Sequence, residues 1–159
     1  MLDHGYPPLA EFDEPGVSPR SRRDLAGRFP LILTSAKDTH FCETQHRGIP
    51  SLRRRAPDPQ VELHPDLATA RGIAAGVDIR TQSPAGSVRA RARLNDALQK
   101  DVVCGQHGWW EPCEAIGAPG YDPYGPDGAN LNLLIDRRAV DPVSGTAPHR
   151  SFMCQVAPA

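Results

Sequence analysis

VDIRTQSPAGSVRARARL, residues 77–94, decides how this chain folds. VDIRTQ at 77–82 alternates apolar and polar residues, SPAG at 83–86 carries turn residues, and SVRARARL at 87–94 alternates strictly. A side-chain period of two puts Val88, Ala90, Ala92 and Leu94 on one face and Arg89, Arg91 and Arg93 on the other. Two alternating runs joined by a short turn specify a β-hairpin with one face in a core. The arginine face reads as solvated or salt-bridged, with a ladder of phosphate contacts as the alternative.

Working outward, further strands flank this hairpin. FPLILTS at 29–35 is a continuous apolar run, as expected of a strand buried on both faces. QVELH at 60–64 alternates, and PDLATARG at 65–72 supplies a helix with Pro65 in its first turn and Gly72 just past its end. VVCG at 102–105 is a short buried strand, and SFMCQVAP at 151–158 is a last one, with Phe152, Cys154 and Val156 on one face. About six short strands, one helix and long irregular crossovers make the chain mainly β, and they suit a small closed barrel better than a sandwich.

The longest crossover, Cys104 to Arg150, holds Trp109, Trp110, Tyr121 and Tyr124 among many Gly and Pro. Pro removes backbone donors and Gly costs backbone entropy, so it cannot be one helix or strand. Exposing both tryptophans would forfeit about 2 to 3 kcal/mol each, so the segment is expected to be an ordered loop that covers something. Residues 1–27, with Pro7, Pro8, Pro15 and Pro19, read as a linker or wrapping arm, and residues 28–159 as the barrel domain. The first strand opens into a basic, hydroxyl-rich loop, a good place for an anion.

At 159 residues the chain is expected to form one domain, with a core large enough to need no disulfides. Its formal charge of −1 gives no support to nucleic-acid binding. It shows neither an apolar run of about 18 residues nor a charged-then-apolar leader, so a cytoplasmic protein without a membrane span is expected. Cysteines at 42, 104, 113 and 154 are irregularly spaced and read as free thiols.

Five pieces in one order carry a family likeness: FPLILTSAK at 29–37, HRGIPSLRRRAPDPQVELHPD at 46–66, RGIAAGVDIRTQSPAGSVRARARL at 71–94, HGWW at 107–110, and GANLNLLIDRRAVDPVSGTAPHRSFMCQV at 128–156. Together they resemble the C-terminal, molybdopterin-dinucleotide-binding domain of the dimethyl sulfoxide reductase superfamily of molybdenum and tungsten oxidoreductases. The resemblance implies a six-stranded double-psi β-barrel with one or two short helices, holding a molybdopterin guanine dinucleotide that carries molybdenum or tungsten in the assembled enzyme. It implies a cofactor-binding set of Ser35, Lys37, His40, His107, Gly108, Trp109, Asn130, Asn132 and Arg150. Ser35 and Lys37 would lie toward the pyrophosphate, and His107, Gly108, Trp109, Asn130 and Asn132 toward the pterin.

The resemblance also implies that the metal ligand and any iron–sulfur cysteines lie in other domains, so no catalytic residue is expected here. The expected partner is the catalytic body of such an oxidoreductase, as other domains or as a separate chain. Other roles remain open for individual residues. Trp109 and Trp110 could plug the barrel mouth, Asn130 could cap a turn, and Arg53, Arg54 and Arg55 read as a solvated or interdomain face. His40, Cys42 and His46 with Cys104, His107 or Cys113 would be the residues of a zinc site, although the paired spacing of zinc modules is missing. A cofactor-free barrel serving as an interaction module is the alternative at the level of function.

Overall fold

A computed structural model of the chain describes residues 5–9, 11–147 and 149–159. Six strands form: β1 (Leu31–Ala36), β2 (Gln60–Leu63), β3 (Asp78–Gln82), β4 (Ser87–Leu94), β5 (Val102–Gln106) and β6 (Phe152–Pro158). They close into a barrel in the order β1-β5-β2-β4-β3-β6. β1 with β5 and β2 with β4 are parallel, whereas β1 with β6, β2 with β5, β3 with β4 and β3 with β6 are antiparallel. Exchanging β1, β2 and β3 for β4, β5 and β6 reproduces every pairing and its direction. That internal two-fold, with two interlocked parallel pairs, is the double-psi β-barrel that the resemblance implied, and its closure is what the strand pattern suggested.

Alternation explains the core. Val61 and Leu63, Ile79 and Thr81, Val88, Ala90 and Ala92, and Val103 all turn inward and are buried. The hairpin forms as expected, with Gln82 opposite Ser87 across the 83–86 turn. Its arginines are salt-bridged: Arg89 to Asp78 at 2.8 Å, Arg91 to Asp58 at 2.9 Å and Arg93 to Glu62 at 3.4 Å. Leu94 departs from the expected inward face and is 38% exposed. β3 stops pairing at Asp78 opposite Arg91, so the last turn of β4 has a neighbour on one side alone.

Three helices of four to six residues decorate the barrel: α1 (Arg23–Ala26), α2 (Pro50–Arg53) and α3 (Pro65–Ala70). α3 begins at Pro65 as expected, and the His64 ring nitrogen accepts the Asp66 N–H at 3.0 Å as its cap. Within the arm, Val17 packs against the barrel core and Ser18 is buried. The long crossover contains two 3₁₀ turns, Glu114–Ile116 and Leu131–Leu134. The second docks on the barrel wall at Gly105, where a Cβ would stand 2.7 Å from Leu131 Cδ1. All four cysteines are free. No helix among the described residues is long and apolar enough to cross a membrane.

A second core lies outside the barrel, where Phe41, Ala56, Trp109 and Ala129 pack together with Leu52 and Tyr121. Arg47 and Arg53 are buried within it, at 1% and 0% exposure. This corrects the reading of residues 53–55 as a solvated or interdomain face at Arg53: Arg54 and Arg55 are exposed, but Arg53 is buried within the chain. Its guanidinium donates to the carbonyls of Pro57 (2.8 Å), Glu111 (2.9 Å) and Pro119 (2.7 Å), tying three loop segments together. A planar cation with five donors satisfies converging loop carbonyls that would otherwise be buried unpaired.

Candidate functional site: a cationic cleft at the end of β1 and β5

β1 and β5 run parallel, with Ser35 opposite Gly105 and Ala36 opposite Gln106. Their C-terminal ends therefore release Lys37 and His107 side by side. β6 pairs antiparallel to β1, with Leu33 opposite Phe152, so the chain entering β6 brings His149 and Arg150 to the same end. The turn anchored at Gly105 adds Asn130 and Asn132. These segments enclose a cleft of about 310 Å³, completed by Glu43, Thr44 and Trp110.

All but two of the residues expected to hold a cofactor line this cleft: Ser35, Lys37, His107, Gly108, Asn130, Asn132 and Arg150. Asn130 is also the cap that its sequence setting allowed. Its side-chain oxygen accepts the Asn132 N–H at 3.1 Å, and its amide donates to the Pro123 carbonyl at 2.7 Å. Gly108 has φ +81°, and a Cβ there would stand 2.6 Å from Thr44 Cα. The loops that follow β1 and β5 touch at that glycine.

His40 and Trp109 lie elsewhere. His40 lines an adjoining cavity of about 290 Å³ with Asp38, Glu62, Arg93, Cys104 and Gln106, and the two cavities share Ala36 and Lys37. Its Nδ1 stands 2.9 Å from Asp38 Oδ1. Trp109 is fully buried in the second core, edge-on to Phe41 and Tyr121, with its Nε1–H donated to Gln106 Oε1 at 3.1 Å. Arg47 and Arg53 lie over its ring at 4.8 and 5.0 Å from the centroid, two buried cation–π contacts. Its neighbour Trp110, 46% exposed, lines the cleft instead.

The sequence reading did not name Glu43, Thr44 or His149. Glu43 adopts φ +53°, a left-handed conformation uncommon outside glycine that no sequence pattern announced. Its carboxylate pairs with Lys37 and lies 3.3 Å from His107 Nε2. The Lys37 ammonium, chiefly, holds the Glu43 carboxyl below the usual range. Arg47 ties together the two loops of this contact, donating to the Glu43 carbonyl at 3.0 Å and to the His107 carbonyl at 2.7 Å. Burial lowers the Arg47 pKa, a shift that leaves a guanidinium charged at neutral pH.

The donor set suits an anion. Lys37, Arg150, His107 and His149 face a single carboxylate, Glu43, and the Asn130 and Asn132 amides offer polar edges beside apolar Leu131 and Ile135. Among the described residues no three His, Cys, Asp or Glu side chains converge to hold a metal ion, so the histidines and cysteines considered for zinc form no cluster. Burial pushes the Cys104 and Cys154 thiols up to about 11 and about 12, which disfavours the nucleophilic thiolate.

A closed six-stranded barrel of this topology carries, at the ends of its parallel strands, a cleft whose Lys37 and Arg150 suit an anionic group. The family model described as "Molydopterin dinucleotide binding domain" matches residues 31–153, and the chain belongs to that family, the molybdopterin-dinucleotide-binding domain of molybdenum and tungsten oxidoreductases. It is 29% identical over 155 residues, 97% of its length, to dopamine dehydroxylase of Eggerthella lenta. It is 34% identical over 132 residues, 80% of its length, to dimethyl sulfoxide/trimethylamine N-oxide reductase of Rhodobacter capsulatus. The chain covers 15% and 14% of these two proteins, a small part of either. The solved acetylene hydratase from Pelobacter acetylenicus shares the fold, with a TM-score of 0.84 and 23% identity over 99% of this chain and 22% of that one.

Proposed function

We propose that this chain holds a molybdopterin guanine dinucleotide in the cleft at the ends of β1 and β5, as the C-terminal domain, a fragment or a small subunit of a molybdenum or tungsten oxidoreductase. The observation that carries the reading is the convergence of Lys37, His107 and Arg150 on one cleft from three separate segments. Lys37 and Arg150 neutralise the pyrophosphate, and His107, Asn130 and Asn132 offer hydrogen bonds to heterocycle edges. The adjoining cavity beside His40, which shares Ala36 and Lys37 with the first, offers room for a ligand longer than the first cavity. Trp109 supports the cleft from behind.

The cofactor, when bound, supplies two-electron chemistry at its metal. This chain's residues bind and orient one dinucleotide arm, and the metal's protein ligand and the substrate pocket belong to the catalytic body that completes the enzyme. The four free thiols suit a reducing compartment, and the proposed location is the cytoplasm. The test is retention of dinucleotide by Lys37→Ala and Arg150→Ala variants co-expressed with a catalytic chain of the family. Each lost charge-assisted contact is worth about 1.5 to 3 kcal/mol, so the double variant should lose at least tenfold in retention. Equal retention would remove the cleft from the site, and a wild-type chain that carries no pterin would favour a cofactor-free interaction module.

A further inference from the structure

We propose that Glu43 is an internal anion that occupies the cleft in the ligand-free chain and exchanges with an anionic group of the ligand. The inference rests on the reading of the cleft as an anion site and adds to it a competing group built into the fold. Glu43 is the one carboxylate among the residues lining the cleft, and it meets two of its nitrogen-bearing side chains at once: one oxygen pairs with Lys37, and the other lies 3.3 Å from His107 Nε2. A carboxylate spanning an ammonium and an imidazole nitrogen is the arrangement a phosphate oxygen pair would take.

The backbone presents this carboxylate deliberately. Glu43 and His46 both adopt positive φ, +53° and +75°, in a loop where neither is glycine. Left-handed conformations of such residues persist where surrounding contacts hold them. Here the contact is Arg47, buried, whose guanidinium clasps the Glu43 carbonyl and the His107 carbonyl together. The Glu43 side chain itself is half exposed, 53%, and so is free to swing into water without moving the anchored backbone. Exposed ion pairs are weak, and a phosphate offers more oxygens and more charge than a carboxylate, so exchange favours the ligand. With the ligand absent, Glu43 spares Lys37 and His107 from capturing small stray anions.

The test uses inorganic pyrophosphate as the probe, titrated calorimetrically into the full chain, with the His107 ring followed by NMR. Glu43→Gln keeps the size and removes the charge, and it should bind pyrophosphate about 2- to 5-fold more tightly than wild type, the range expected for relief of the exposed ion pair with Lys37. The His107 resonances should shift toward the same end point in both proteins, and adding Lys37→Ala to Glu43→Gln should erase the gain. Equal or weaker binding by Glu43→Gln, a gain that survives Lys37→Ala, or no binding by either protein overturns the proposal. Weaker binding would mark Glu43 as a direct ligand contact. Dinucleotide retention by the wild-type chain judges the cofactor reading separately: retention with no gain in Glu43→Gln defeats this inference alone, whereas a gain without retention defeats the cofactor reading alone.

Discussion

Replacing Arg53 by Met should come close to unfolding this domain, although the residue sits in a run of three arginines. Its side chain is fully buried and donates to the carbonyls of Pro57, Glu111 and Pro119, with a weaker 3.4 Å contact to the Arg47 carbonyl. Met fills similar volume but leaves those carbonyls without donors, at roughly 1 to 3 kcal/mol for each one left unsatisfied. Relief of the buried charge and entry of water offset part of this, and a net loss of about 3 to 5 kcal/mol is expected. Domains are stable by only about 5 to 15 kcal/mol, so the loss is a large fraction of the whole. Urea unfolding followed by tryptophan fluorescence is the assay, because Trp109 packs directly against Arg53. Arg53→Lys is the control: its single ammonium keeps the charge but cannot reach three diverging carbonyls, so it should lose about 2 kcal/mol or more. A Met variant within about 1 kcal/mol of wild type, or a Lys variant equal to wild type, would refute the carbonyl-clasp argument.

Further expectations follow from single residues. Gly108→Ala forces a Cβ to 2.6 Å from Thr44 Cα at φ +81°, so it should lose about 1 to 3 kcal/mol of stability and separate the two loops of the cleft, as urea midpoints and ligand affinity would show. Thr81 Oγ1 is buried without a hydrogen-bond partner among the described residues, so Thr81→Val should stabilise the barrel by about 1 kcal/mol; a loss would mean that its hydroxyl is in use. Cys104 and Cys154 titrate in the folded chain at about 11 and about 12, above the ordinary thiol value. The unfolded chain therefore loses these protons first, and the stability they contribute is complete below about pH 8.5 and falls as pH rises toward the folded values. Between pH 8.5 and 10 each thiol should cost about 1.5 kcal/mol, and Cys154→Ala should remove about half of that slope; an unchanged slope in the double Ala variant would contradict it.

The strands were legible because each keeps a period of two or a continuous apolar run, and only one register places Val88, Ala90 and Ala92 inside. The cleft was legible in part, since the residues that follow β1 and β5 had to emerge together once those strands paired in parallel. Burial of Arg53 was not. Three consecutive arginines look alike in sequence, and which one turns inward depends on carbonyls from residues 111 and 119, far along the chain. Trp109 and Trp110 posed the same difficulty, because the left-handed turn at Gly108 decides which ring enters the second core and which faces the cleft. Glu43 escaped notice because its role depends on a backbone conformation that an acidic residue rarely adopts.

The most direct measurement is the pterin and guanine content of the wild-type chain, purified together with a catalytic chain of the family from cells that make the cofactor. The account predicts pterin and guanine in equal amounts in the assembly, and their loss when this chain is omitted. Full cofactor content without this chain would contradict it.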